Sequence, residues 1–282
     1  MNNDIGKNLS LHSNSKGNLL KATYTDDGDI INFLKTGRLQ VRDYPEYWGI
    51  ESVIEVICYR LGYILGLNIA EQSLGVCSGI RLNKEFKTLA CSSPDFRDEK
   101  TLVYLQSLYV ENDENIDFGK LCRNTRCGED LINMIAFDLI IMNEDRHNSN
   151  IGFLVQDDGR LKLAPIYDNG YSLLYDDIKG MLKDFKAAAK HCLCNAPLYQ
   201  ENFKSAERIF MNYSKIYEPT INLDVERDIV EMAVYQTKNI YINLEKENIN
   251  NIMIEPVWWD KVIDFIMWRI EYVRDLRDNM AE

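Results

Sequence analysis

Nowhere in its 282 residues does this chain run for long in apolar company without a charge, whereas a membrane-spanning helix needs about 18 such residues. Its first ten residues, MNNDIGKNLS, lack the positive-then-apolar order of a secretory signal. These absences lead to the expectation of a soluble, cytoplasmic protein with no membrane partner. Cations are also scarce: 32 Lys and Arg stand against 44 Asp and Glu, a formal charge of −12. Clustered cations are what bind a nucleic-acid backbone, so no direct nucleic-acid contact is expected. A nucleotide is not excluded, because one or two local cations and a divalent metal compensate its phosphates. No CxxC pair occurs among Cys58, Cys77, Cys91, Cys122, Cys127, Cys192 and Cys194. The odd number fits reduced, mostly buried thiols. His191, Cys192 and Cys194 have no complementary ligand pair elsewhere, so zinc is not expected.

What is present suffices for a sizeable core, with 46% of residues hydrophobic, and the length suits one large domain or two small ones. The most informative stretch is 143–170, NEDRHNSNIGFLVQDDGRLKLAPIYDNG. Asp145 stands five residues ahead of Asn150. Two short apolar runs, 151–155 and 161–163, then flank Asp157, Asp158 and Gly159, and Asp-Gly between such runs signals a hairpin. Asp168 follows, directly before Asn169 and Gly170. Phosphoryl transfer from ATP uses this order. One Asp orients the attacking hydroxyl, an Asn takes a magnesium ion, and a second Asp, before a glycine that permits a sharp turn, bridges metal to the phosphates. Any one of these residues alone is usually a turn or cap residue; three in the correct order make a motif whose context must confirm it.

Upstream, 23–24 and 30–34 read as a hairpin around Asp26, Asp27 and Gly28, with Lys35 at the end of its second strand. A lysine there holds the α- and β-phosphates in kinases, although a solvated strand end before Gly37 is the plainer reading. The segment 48–67 is a predicted helix, with Val53, Ile54, Ile57, Leu61, Ile64 and Leu65 recurring at three- and four-residue steps before Gly66. Glu55 falls within it, where a buried carboxylate without a partner is costly. An ion pair with Lys35 removes that cost; Glu51, one turn earlier, competes for the role. Ahead of the hairpin lies 11–21, LHSNSKGNLLK. Backbone N–H groups around Ser13, Ser15, Lys16 and Gly17 suit nucleotide phosphates, and the same residues also read as a surface turn.

Segments 70–76 and 87–91 read as further strands, and 90–94 as a hinge whose backbone meets adenine. The segment 128–142 is a predicted helix, apolar on nearly every side and therefore interior, and it leads into the Asp145 loop. Arg146 and His147 read as supports, with His147 also open as a general base. Lys179, Lys183, Lys186 and Lys190 suggest that 172–190 is a helix with one basic face. Three more helices are expected over 201–217, 225–244 and 257–279, the last packing Trp258, Trp259 and Trp268 into a core.

DRHNSN together with LAPIYDNG resembles the HipA-like kinase family. The first half is also similar to the phosphatidylinositol 3-kinase group, but that group would show Asp-Phe-Gly where this chain has Tyr167, Asp168, Asn169 and Gly170. The resemblance implies an α+β, two-lobed protein-kinase-like fold, with a β-rich N-lobe over 1–93 and a mostly helical C-lobe over 94–282. It implies ATP and Mg2+ as cofactors and Ser/Thr kinase activity on a protein substrate. Asp145 would be catalytic, Asn150 and Asp168 metal-binding. Lys35, Glu55, Ser13, Ser15, Lys16 and Gly17 would serve the nucleotide. Autophosphorylation of Ser13 or Ser15 would add about −1.5 to −2 charges beside the phosphates of ATP and act as an off-switch. A regulatory or antitoxin partner is implied as well. Larger members have an additional N-terminal subdomain, so this chain reads as a short, kinase-core member. The alternatives are a lipid or small-molecule kinase, and a pseudokinase that binds nucleotide as an interaction module.

Overall fold

In the computed structural model, which describes residues 12–13, 19–41, 43–81, 84–108, 116–191, 197–199, 203–247, 249 and 252–279, an antiparallel sheet of five strands comes first. Its strands are β1 (His12–Ser13), β2 (Leu19–Thr25), β3 (Ile31–Arg38), β4 (Ser73–Arg81) and β5 (Lys84–Pro94), in the order β1-β2-β3-β5-β4. Asn32, Leu34 and Thr36 of β3 are buried while Ile31 and Phe33 are exposed, the period-two pattern of a strand with unlike faces. That alternation turns Lys35 to the same side as Ile31 and Phe33.

Helix α1 (Glu51–Ile64) lies against the sheet. Its apolar residues Val53, Ile54, Ile57 and Leu61 are wholly buried, as the spacing predicts. A second sheet of three strands, β6 (Leu102–Tyr104), β7 (Gly152–Val155) and β8 (Leu161–Leu163), has the order β6-β7-β8. The rest is helical: α2 (Leu105–Leu108), α3 (Phe118–Thr125), α4 (Gly128–Ile141), α5 (Phe185–His191), α6 (Phe203–Tyr217), α7 (Arg227–Glu245) and α8 (Pro256–Asp278). One hydrophobic core runs from α1 through α4 to α7 and α8. Trp258 and Trp259 anchor it, edge to face with ring centroids 5.0 Å apart, and burial of each such ring contributes on the order of 1.5–3 kcal/mol.

The expected helix over 172–190 does not form as such; α5 begins only at Phe185. Leu173 and Leu174 take left-handed φ of 52° and 61°, and the Asp177 carboxylate accepts from the backbone N–H groups of Met181 and Leu182. Local turn chemistry of this kind competes with helix. Lys179 therefore joins no basic helical face but sits with its ammonium 4.1 Å from the Tyr44 ring centroid. Strand β6 and helices α2 and α3 were not expected; β6 has three residues and is held by pairing to β7.

Ser13 lies in β1, opposite Leu20 of β2, whereas Ser15, Lys16, Gly17, Cys192 and Cys194 fall outside the described residues. Cys58, Cys77, Cys91, Cys122 and Cys127 are buried free thiols, as composition leads one to expect. Among the described residues no helix is long and apolar enough to cross a membrane.

Candidate active site

Helix α4 buries every residue from Leu131 to Ile141, so its C-terminal end is rigidly seated. Met142 then turns left-handed, with φ of 52°, and the Asn143 N–H donates back to the Asp138 carbonyl at 3.1 Å. The Asn143 side chain accepts the Asp145 N–H at 2.9 Å. Asn150 Nδ2 donates to the Asp145 carbonyl at 2.8 Å. That bond uses the nitrogen of the Asn150 amide and leaves its oxygen for another partner.

Arg146 ties this loop to its surroundings. It is fully buried, as is Asp138, and donates to the Asp138 carboxylate from Nε at 3.0 Å and Nη2 at 2.9 Å. It also donates to the carbonyls of Asn150 at 3.2 Å and Tyr167 at 2.6 Å, and to Asn169 Oδ1 at 2.6 Å. Tyr199 donates to Asp138 at 2.7 Å. One guanidinium thus joins α4, the 145–150 loop and the 167–169 stretch. Arg146→Leu is expected to lower unfolding stability by about 3–5 kcal/mol, because Asp138 is left as a buried charge without its cation. Chemical denaturation measures it, and Arg146→Leu combined with Asp138→Leu should recover part of the loss.

Opposite this loop, Lys35 pairs in register with Lys21 of β2 and Cys91 of β5. Its ammonium donates to Glu55 Oε1 at 2.7 Å and contacts Asp168 Oδ1. Glu55 Oε2 accepts the Asn169 N–H at 2.9 Å, so one buried carboxylate fastens both Lys35 and the backbone after Asp168. Glu51 does not compete for Lys35. It is wholly buried and pairs with Arg38, 2.8 Å from Nε but off the hydrogen-bond axis, and it accepts the Arg38 N–H at 3.0 Å.

Asp168 itself makes the sharp turn, with φ of 59°. Gly170 has a different reason to lack a side chain, since a Cβ there would lie 2.9 Å from Glu51 Cβ. Asp168, and not Gly170, therefore takes the positive φ that the sequence leads one to expect of the glycine. Lys21 Nζ is 3.9 Å from Asp168 Oδ2; along the chain, its signal is its place opposite Lys35 in a hairpin register. His147 Nδ1 accepts the Ser149 N–H at 3.2 Å, and its Nε2 lies 3.9 Å from Asp145 Oδ2.

Charge follows this geometry. Burial opposes the charge on Lys35, but the carboxylates of Asp168 and Glu55 outweigh it and hold the ammonium well above its ordinary pKa. Burial likewise pushes Asp168 up, and Lys35, then Lys21, override it and hold the carboxyl well below the usual range. Asp145 goes the other way: burial raises it, and His147 offsets that only in part. One carboxylate is thus firmly ionised while the other is a better proton acceptor. Among the described residues no cluster of three or more His, Cys, Asp or Glu forms a closed metal cage. The Asn150 amide oxygen and the Asp168 carboxylate are hard oxygen donors that fit magnesium, which keeps several waters and substrate phosphates as ligands.

Residues 114–239 match the HipA-like C-terminal domain family. Among solved structures, the chain is similar to the proinflammatory kinase CtkA of Helicobacter pylori, with a TM-score of 0.61 and 14% identity over 99% of this chain and 98% of that one. It is also similar to HipA of the Shewanella oneidensis MR-1 toxin–antitoxin system, solved with HipB and its operator DNA. There the TM-score is 0.52 and the identity 14%, over 96% of this chain and 68% of that one. No curated protein matches the sequence. At such identities the structural likeness establishes the fold: α+β and kinase-like, in agreement with the resemblance that DRHNSN and LAPIYDNG carry.

Proposed function

We propose that this chain, a kinase-fold protein whose residues 114–239 match the HipA-like C-terminal domain, transfers the γ-phosphoryl group of ATP to Ser or Thr hydroxyls of a protein. The observation that carries the reading is the Lys35, Glu55 and Asp168 ion-pair set standing with an Asp145 whose carbonyl is tied to Asn150. In this reading Lys35 holds the α- and β-phosphates and Glu55 holds Lys35. Lys21 faces the same phosphates from β2. Asn150 and Asp168 would hold magnesium, which supplies charge compensation at the phosphates. Asp145 orients the acceptor hydroxyl and takes its proton as the new O–P bond forms, while the bond from the γ-phosphorus to the bridging oxygen of ADP breaks. Phosphoryl transfer is mainly positioning and electrostatics, which suits a loop locked by Arg146.

The same proposal includes a phosphate loop at Ser13, Ser15, Lys16 and Gly17, autophosphorylation there, a nucleotide cleft between 1–93 and 94–282, and a regulatory protein partner. Incubation with γ-labelled ATP, with magnesium or with chelator, over protein, lipid and small-alcohol acceptors tests it. The expected result is magnesium-dependent label on Ser or Thr, located by phosphopeptide mass spectrometry. Label only on a small molecule would replace the acceptor class. Nucleotide that raises the melting temperature while no acceptor takes label would mark a binding module instead.

A further inference from the structure

The 172–184 segment follows Asp168 and holds two of its residues in a conformation that they disfavour. Leu173 and Leu174 are both left-handed, at φ of 52° and 61°, a region that side chains with a Cβ avoid unless the surroundings over-determine it. Leu173 is wholly buried, and its N–H donates to the Ile141 carbonyl at 2.9 Å. On one side of the segment Trp258 Nε1 donates to the Leu174 carbonyl at 3.4 Å and the Glu255 N–H to the Ile178 carbonyl at 3.0 Å; on the side of the catalytic loop it is held by Arg38, at the end of the strand that carries Lys35. The guanidinium pairs with Asp176 and lies 4.7 Å from the Tyr175 ring centroid and 5.8 Å from that of Tyr171. Its other partner is the buried Glu51 of α1. Tyr175 then donates to Glu144 at 3.2 Å, and the Glu144 N–H donates to the Tyr171 carbonyl at 2.9 Å. Glu144 directly precedes Asp145. A continuous set of contacts therefore runs from α1 through Arg38 to the segment and on to the catalytic loop.

Many protein kinases order the corresponding segment only when a phosphorylated side chain is captured by arginine. We infer that Asp176 is a positioning residue whose carboxylate, captured by Arg38, orders the 171–180 segment without any phosphate, so that the enzyme needs no activating phosphorylation. This rests on the kinase reading for its catalytic consequence, whereas the ordering itself is measurable without activity.

Asp176→Asn and Asp176→Glu, each freed of phosphate and verified by intact mass, make the test; Arg38 is left in place because its loss strands the buried Glu51 charge. In Asp176→Asn the amides of Leu173, Tyr175 and Asp177 should exchange hydrogen about tenfold faster, with α1 and α4 unchanged. The same variant should lose about tenfold in kcat at a KM for ATP within about twofold, and Asp176→Glu should restore both. Exchange in Asp176→Asn equal to wild type overturns the inference. So does a phosphate-free wild type that transfers nothing until Tyr171, Ser172 or Tyr175 is phosphorylated. A wild type without transfer under any condition overturns the kinase reading instead, and the exchange comparison then decides the ordering alone.

Discussion

Asp145→Asn is expected to lower kcat by about 10²–10⁴-fold while leaving the fold and nucleotide affinity intact. The substitution keeps shape, and the hydrogen bonds at residue 145 use its backbone: its N–H donates to Asn143, and its carbonyl accepts from Asn150 Nδ2 and the His147 N–H. What disappears is the carboxylate proposed to accept the hydroxyl proton. Because burial raises the Asp145 pKa above its ordinary 3.8, the acid limb of the wild-type kcat/KM profile should lie above that value. Activity is present when the carboxylate is ionised and is lost as pH falls through the raised pKa. Steady-state kinetics across pH, with a thermal melt of each protein, measures both parts. A kcat within about tenfold of wild type, with the acid limb preserved, would transfer the base role to His147, the ring 3.9 Å away.

Lys35→Met removes the cation between two carboxylates, and its expected effect is both catalytic and structural. The Lys35 side chain is 13% exposed, Glu55 2% and Asp168 21%, so Glu55 has no water to replace the lost partner and Asp168 only a little. Breaking a buried pair from one side costs about 3–5 kcal/mol, and loss of a preorganised phosphate contact costs on the order of 10²–10³ in rate. The stability loss should depend on pH in a definite direction. In the wild type the folded Asp168 carboxyl titrates well below its ordinary 3.8. Its contribution is therefore complete above that value and is lost as pH falls through the depressed one. In Lys35→Met the same carboxyl, largely buried and left with the half-exposed Lys21 at 3.9 Å and the more distant Arg146, titrates higher than in the wild type and gains from protonation. The difference in unfolding free energy should be largest near neutral pH and shrink in acid. A pH-independent difference would mean that Lys35 stabilises by packing its stem, not by pairing.

Much of the local structure was legible along the chain, because short-range rules write it there. Alternation marked β3, the three- and four-residue steps marked α1, and Asp-Gly marked the turn between β7 and β8. The order Asp145, Asn150, Asp168, on which the proposed chemistry rests, is legible in the same way, since spacing along a loop and hairpin survives folding unchanged. Even the Lys35–Glu55 contact was within reach, because a carboxylate in an apolar helix must find a cation. The fold decided what depends on meetings between distant residues. Glu51 is as buried as Glu55, and only the packing of α1 across β3 assigns one to Arg38 and the other to Lys35. Arg38 and Asp176 are 138 positions apart, and no periodicity links them. The lysines of 172–190 suggested a helix because spacing is blind to the turn that Leu173, Leu174 and Asp177 adopt once Leu173 is buried against α4. Motif order is a one-dimensional property, and the sequence determined it alone. The pairing of buried charges is set by which surfaces the core brings together, and only the tertiary structure decided it.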